Sequence, residues 1–378
     1  MRLAVLGGKP IRKKPYPRWP IHDHTEEAAL DRVYRTPTLD ESSRFAEWYA
    51  NYCGVPYVLP TASGTVSIEL ILRALGIGRG DEVILPPYTF IASYAAIRFV
   101  GAVPVFADIL PDSYNIDPAD VARKITPHTR AILAVSVGGR PADCDALGAI
   151  AEKHNIALIH DAAQAVGATW RGVSIAAYGT AAAFSCQNSK NLTCGEGGII
   201  TTTDAVLHET LRVILSGGDD THIGVRAGIN GYCAGILNAQ SARFPEQLRY
   251  RQESAAYLDA HLAPLGYVSP MPGDPRVTSN AYHLYFIRIH EDKLRGVTRD
   301  RFVEAVVAEG IPLTTGYRPL YATSGVNEPH NTPVTDYVAG HEGAWLAPPT
   351  LLGTPDDLAD VVRAIEKVYD NLDALREV

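Results

Sequence analysis

The sequence predicts an α/β fold: a mostly parallel sheet with helices on both faces, followed by a smaller α+β domain. Three observations predict it. Short apolar runs recur from about residue 56 to 205, helix-length segments separate them, and small or polar residues follow most of them. Runs apolar throughout are those of strands buried on both faces, and the spacing between them suits crossover connections. At 378 residues the chain is long enough for two cores. The expected division is a large domain with an N-terminal arm over 1–250 and a small domain over 251–378.

A basic, Pro-rich arm (9–20) opens the chain. VSIELILRAL (66–75) has apolar residues at helical spacing, and DEVILPP (81–87) reads as a strand closed by prolines. Further strands are expected in AVPVFAD (102–108), RAILAVS (130–136), NIALIHD (155–161), AAAFS (181–185) and GGIITTT (197–203), with a helix over LGAIAEKH (147–154). From 206 the pattern turns helical: LHETLRVIL (207–215), then a long segment over 234–262 expected to break or kink near Pro245. The small domain mixes a strand, HLYFIRI (283–289), with helices over 299–310 and 355–375.

Composition excludes several classes. A net charge of −8 offers no basic footprint for nucleic acid or an anionic membrane, so neither is an expected partner. The five cysteines form no C-x-x-C pair, so no metal cluster and no disulfide framework is expected, and a reducing cytoplasm fits. The first residues carry too short an apolar stretch for a signal peptide, and no window suits a membrane helix.

Ligands of a parallel sheet sit where its strands end, so the polar residues there carry the chemistry. TASGT (61–65) is a small-residue turn entering a helix, where free N–H groups with Ser63 and Thr65 form a phosphate cradle or simply an N-cap. PPYTF (86–90) places Tyr88 and Phe90 where a ring could cover a planar cofactor or fill the core. Asp161 ends an apolar strand in HDAAQ (160–164), where a carboxylate either caps a helix or meets a cation such as a protonated pyridine. Lys190 lies in FSCQNSKNLTCGEGG (184–198), a small and polar loop between strands. Most lysines are merely solvated, but one near a buried site can lose its proton and attack a carbonyl.

The combination narrows the choice. Pyridoxal phosphate (PLP) needs an amine, an acid for its ring nitrogen, an anion site and a covering ring, and each has a candidate at a strand end.

These segments resemble the DegT/DnrJ/EryC1/StrS sugar and cyclitol aminotransferases, which share fold type I PLP-enzyme architecture. The resemblance runs from GGKPIRKKPYPRWPIHD to the final helix and is strongest in TASGT, GDEVILPPYTFIAS, GAVPVFADI, DAAQAVGA and FSCQNSKNLTCGEGG. It implies that Lys190 holds PLP as a Schiff base and shuttles the proton, that Asp161 pairs with the ring nitrogen, and that Gln164 meets the phenolic oxygen. Gly64, Thr65 and Ser185 would hold the phosphate, Phe90 rather than Tyr88 would stack on the ring, and Asn230 would reach the phosphate across a homodimer interface. The implied reaction moves an amine from glutamine or glutamate to a ketone. CQNSKNLTCGEGG and AWLAPPTLLG (344–353) place the chain nearer the scyllo-inosose aminotransferase and aminohydroxybenzoate synthase branch than the nucleotide-sugar branch.

The chain departs from the family pattern at Ser136, where relatives carry histidine, and around Tyr232 and Gly235. Two rival readings remain. A nicotinamide dehydrogenase would use GIGRGD (76–81), but that segment follows a helix and precedes a strand, the reverse of the required order. A binding or regulatory protein on the same fold would need neither Lys190 nor Asp161.

Overall fold

The computed structural model describes residues 2–36 and 40–376, so the last two residues of the expected small domain lie outside it. Its main sheet contains β1 (Tyr57–Thr61), β2 (Glu82–Leu85), β3 (Val103–Phe106), β4 (Thr129–Val135) and β5 (Ala157–Asp161). A short hairpin, β6 (Thr169–Trp170) and β7 (Val173–Ser174), then precedes β8 (Ala181–Ser185) and β9 (Gly198–Thr202) of the same main sheet. The spatial order is β1-β9-β8-β5-β4-β2-β3, with β9 antiparallel to both its neighbours and the remaining pairs parallel.

Burial on both faces explains why these strands read as continuous apolar runs. In β4, Ala131 and Leu133 enter the core on one face while Ile132 and Ala134 enter the core on the other. One strand of this sheet, β1, was not among those expected, and Pro60 lies within it. Proline lacks a ladder donor and is tolerated at a sheet edge, where β1 sits with β9 as its single neighbour in the sheet.

The C-terminal part forms a four-stranded antiparallel sheet from β10 (Val268–Pro270), β12 (Tyr285–Ile289), β13 (Leu313–Thr314) and β14 (Gly343–Leu346), in the order β10-β12-β14-β13. Between them, β11 (Val277–Ser279) pairs instead with β6. The helices Arg299–Ala308 and Pro355–Tyr369 cover the four-stranded sheet, with Phe302, Val306, Val361 and Ile365 packed on Tyr285 and Ile287. The second of these helices starts with Pro355 at its first turn and a capping box between Thr354 and Asp357.

The helix Gly231–Leu262 joins the two parts and continues unbroken through Pro245, where a break or kink was expected. Proline in a helix interior costs about 3 kcal/mol. Phe244 and Leu248, buried in the large-sheet core on either side of it, hold the two halves in line. Further along, Ala255, Leu258 and Leu262 belong to the small-sheet core, so the handover between cores falls between Leu248 and Ala255. The N-terminal arm also packs on the small-sheet side: Leu3 is buried there and Arg12 pairs with Asp357.

A further cluster, with Tyr88, Tyr114 and Val137 from the large-sheet side and Leu284 and Phe286 from the small-sheet side, fixes the two sheets against each other. Gly138 is required at this junction. Its φ is +67°, and a Cβ would lie 2.6 Å from the Phe286 ring. Among the described residues, no helix is long and apolar enough to cross a membrane.

Candidate active site

The parallel strands deliver their last residues to one edge, and a cavity of about 560 Å3 opens there between the two sheets. Gly64, Thr65, Phe90, Asp161, Gln164, Ser185 and Lys190 all line it.

The anion end is built by β1 turning into the helix Gly64–Ala74. Ser63 caps that helix by accepting from Val66 N at 3.2 Å, which leaves the N–H groups of Gly64 and Thr65 outside the helical bonding pattern. A Cβ on Gly64 would come within 2.8 Å of the Ser185 Cβ, so only glycine lets the end of β8 approach this helix start. First-turn N–H groups, the helix dipole and the hydroxyls of Thr65 and Ser185 then face one space.

At the end of β5, Asp161 is only 5% exposed. Ser93 Oγ donates to its Oδ2 at 2.6 Å and Ala163 N to its Oδ1 at 3.2 Å. Burial pushes its pKa up from the ordinary carboxylate value, against these hydrogen bonds and the nearby Lys190 charge. No cation of the described residues lies within ion-pair distance of it, so two donors alone hold the charge.

Lys190 sits in the loop between β8 and β9. The loop is tied by Cys186 N to Gly197 O (2.8 Å), Asn188 N to Gly195 O (3.0 Å) and Lys190 N to Gln187 O (2.8 Å). Burial pushes the Lys190 ammonium down from its usual value, with Asp161 opposing. A lysine so placed holds a larger neutral fraction near pH 7, and the neutral amine is the nucleophile.

Phe90, 59% exposed, caps the helix Ile91–Phe99 along the cavity wall, whereas Tyr88 is fully buried between the sheets. Gln164 accepts from Gly138 N at 2.8 Å and donates to Tyr317 Oη at 2.8 Å. Asn230 lies apart from the rest. It is exposed and caps the helix Gly231–Leu262, accepting from Cys233 N at 3.0 Å. A residue expected to act on a second copy has no place in its own chain's cavity.

Ser93, His283, Tyr317 and Trp345, none of them among the residues expected at the site, also line the cavity. His283 is buried and stays neutral, because burial and the Lys190 and Arg251 charges push its pKa well below the usual value. Ser93 stood one turn into a helix that starts at a strand end, a signal that could have been read. Two of the departures from the family pattern lie off the cavity wall. Ser136 is buried behind Asp161, donating its N–H to the Asp161 carbonyl at 3.0 Å, and Gly235 packs against Val33 of the helix His24–Arg35.

The chain is similar to the L-glutamine:2-deoxy-scyllo-inosose aminotransferase of Streptomyces fradiae, with 36% identity over 97% of each chain. Among solved structures it resembles 3-amino-5-hydroxybenzoic acid synthase (TM-score 0.88, 31% identity, 95% of this chain and 100% of that one). It also resembles DesI, determined in the presence of its TDP-sugar product (TM-score 0.89, 28% identity, 99% of this chain and 97% of that one). Its residues 22–366 match the DegT/DnrJ/EryC1/StrS aminotransferase family. The chain belongs to that family and is a PLP-dependent aminotransferase of fold type I.

Proposed function

We propose that this enzyme moves the amino group of L-glutamine to a keto-cyclitol of the scyllo-inosose type, with Lys190 and Asp161 as its catalytic residues. The observation that carries the residue assignment is the pairing, in one strand-end cavity, of a buried carboxylate that lacks a cation with a lysine whose charge is disfavoured. The substrate assignment rests on the relatives named for that substrate.

The residues fit PLP. Gly64 brings the end of β8 up to the helix start, since a Cβ there would meet the Ser185 Cβ at 2.8 Å, and Asp161 carries a charge that a protonated ring nitrogen would neutralise. When bound, PLP supplies an electrophilic carbon for the amine and a cationic ring that accepts the electron pair. The chain's own groups then divide the work. The Gly64 and Thr65 N–H groups, with the Thr65 and Ser185 hydroxyls, anchor the phosphate, and Phe90 covers one face of the ring. Asp161 keeps the ring nitrogen protonated, because an ionised carboxylate in a dry site needs a cation beside it. Gln164 meets the phenolic oxygen. Lys190 Nζ, neutral more readily than a solvated lysine, takes and returns the proton that moves during amine transfer.

The assembly that goes with this reading is a cytoplasmic homodimer in which Asn230 reaches the cofactor of the second copy. Its exposed place at a helix start supports that role. A keto nucleotide-sugar is the second acceptor class, favoured by the likeness to DesI. The experiment that separates them mixes the aminated form of the cofactor-loaded enzyme with keto-cyclitols and with keto nucleotide-sugars, and follows the cofactor's visible band. Its return with a scyllo-inosose alone is the expected result; return with a nucleotide-sugar alone overturns the cyclitol assignment.

A further inference from the structure

Gln164 is held from both ends, and the two holds settle which way its amide points. A backbone N–H can only donate, so the side-chain atom 2.8 Å from Gly138 N is the oxygen. The amide nitrogen therefore faces the other way. One of its hydrogens goes to Tyr317 Oη at 2.8 Å, and the second has no acceptor among the described residues.

Tyr317 comes from the small-sheet side and is itself fixed at several points. Its N–H donates to Tyr88 Oη at 3.3 Å, and its ring packs at 87° on Tyr88 and 4.6 Å from Trp345, centroid to centroid. The preceding Gly316 has φ +86°, and a Cβ there would meet Tyr88 Oη at 2.5 Å, so the loop lies tight against the buried tyrosine. Burial pushes the Tyr317 hydroxyl up to about 12, which keeps it neutral and available as an acceptor at ordinary pH.

We propose that Tyr317 is a positioning residue for the cofactor: with the Gly138 N–H deciding which end of the Gln164 amide is nitrogen, Tyr317 Oη holds that nitrogen in place, so that its second hydrogen is offered to the ionised form of the cofactor's phenolic oxygen. The proposal rests on the reading above that Gln164 meets the phenolic oxygen. It assigns a loop of the small-sheet side a part in setting the protonation of a cofactor held by the large sheet.

A donor to the phenolic oxygen favours its ionised form and lowers the pH at which the bound cofactor gives up its proton. Losing the donor raises that midpoint, by roughly one pH unit for one hydrogen bond to the charged form. The test is a pH titration of the visible spectrum of the cofactor-loaded enzyme, in wild type, Tyr317→Phe, Gln164→Leu and the double variant. The expected result is an upward shift in each single variant and no further shift in the double variant. A role of Tyr317 confined to packing would leave the midpoint where it was. A shift in Gln164→Leu without one in Tyr317→Phe overturns this proposal and leaves the reading of Gln164 standing. No shift in either variant overturns both, and additive shifts overturn the relay by showing that Tyr317 acts without Gln164. Tyr317→Leu provides a second route should Tyr317→Phe fold poorly, since it too removes the hydroxyl that holds the Gln164 amide nitrogen; an unchanged midpoint there, with a shift in Gln164→Leu, overturns the proposal.

Discussion

Two regions of this molecule bury charged groups, and they treat them in opposite ways. Where the N-terminal arm crosses the small-sheet core, each buried carboxylate is matched. Glu309 accepts from Lys367 Nζ at 2.7 Å and from the backbone N–H groups of Ala4 and Ile11, while Asp357 receives Arg12 at 2.6 Å. In the strand-end cavity Asp161 has two neutral donors and no ion-pair partner, and Lys190 is likewise left without one among the described residues. Taking a charge out of water costs several kcal/mol unless a partner restores it. The arm's charges therefore belong to the fold, whereas those of the cavity are arranged for a ligand that completes them.

That contrast can be broken experimentally. The largest effect is expected from Lys190→Ala, which removes both the cofactor's anchor and the proton carrier. Turnover with glutamine should fall by at least ~1000-fold with the thermal midpoint of the apo-protein unchanged. Loss of folding with little loss of specific activity would make Lys190 a structural residue. In the arm the outcome should invert. Glu309→Gln leaves the buried Lys367 charge unmatched and should cost about 3–5 kcal/mol in urea unfolding, with the folded protein still binding PLP. A variant that folded as well as wild type but lost PLP would dissolve the distinction.

Asp161→Asn should follow, lowering turnover by about 100- to 1000-fold and weakening PLP retention on dialysis, since the ring nitrogen loses its acid partner. Wild-type rates in this variant would remove Asp161 from the site. The smallest effect concerns pH. Because the pKa of Asp161 is raised, falling pH protonates it at a higher pH than an ordinary carboxylate and withdraws the negative charge the cofactor needs. Ser93 Oγ opposes this by bonding the ionised form, so Ser93→Ala should move the acid limb of PLP retention upward by roughly one pH unit. A downward shift, or none, would show that Ser93 does not support the Asp161 charge.

The same contrast explains what the sequence made legible. β2, β4 and β5 could be read because burial on both faces left apolar runs, and Asp161 stood out as a carboxylate closing such a run, Lys190 as a lysine in the loop between two of them. β1 was not expected, and its Pro60 is harmless at a sheet edge, as Pro104 is in β3 at the opposite edge. The three-stranded sheet was hidden because β6 and β7 have two residues each and β11 pairs across more than a hundred positions. The partners of the site residues carried no local pattern. Ser93 reaches Asp161 across 68 positions within the large-sheet side, and Tyr317 reaches Gln164 across 153, a contact that exists only once the two sheets have packed. Sequence spacing shows where a strand ends, but not which side chain from another element will meet it there.

The central claim, that the lysine in the loop between β8 and β9 is completed by PLP, has a direct measurement. The purified, cofactor-loaded enzyme is treated with borohydride, digested, and its peptides are mapped by mass. A single phosphopyridoxyl group on Lys190, with bleaching of the visible band, is the predicted result; the label on any other lysine, with Lys190 unmodified, would contradict the account.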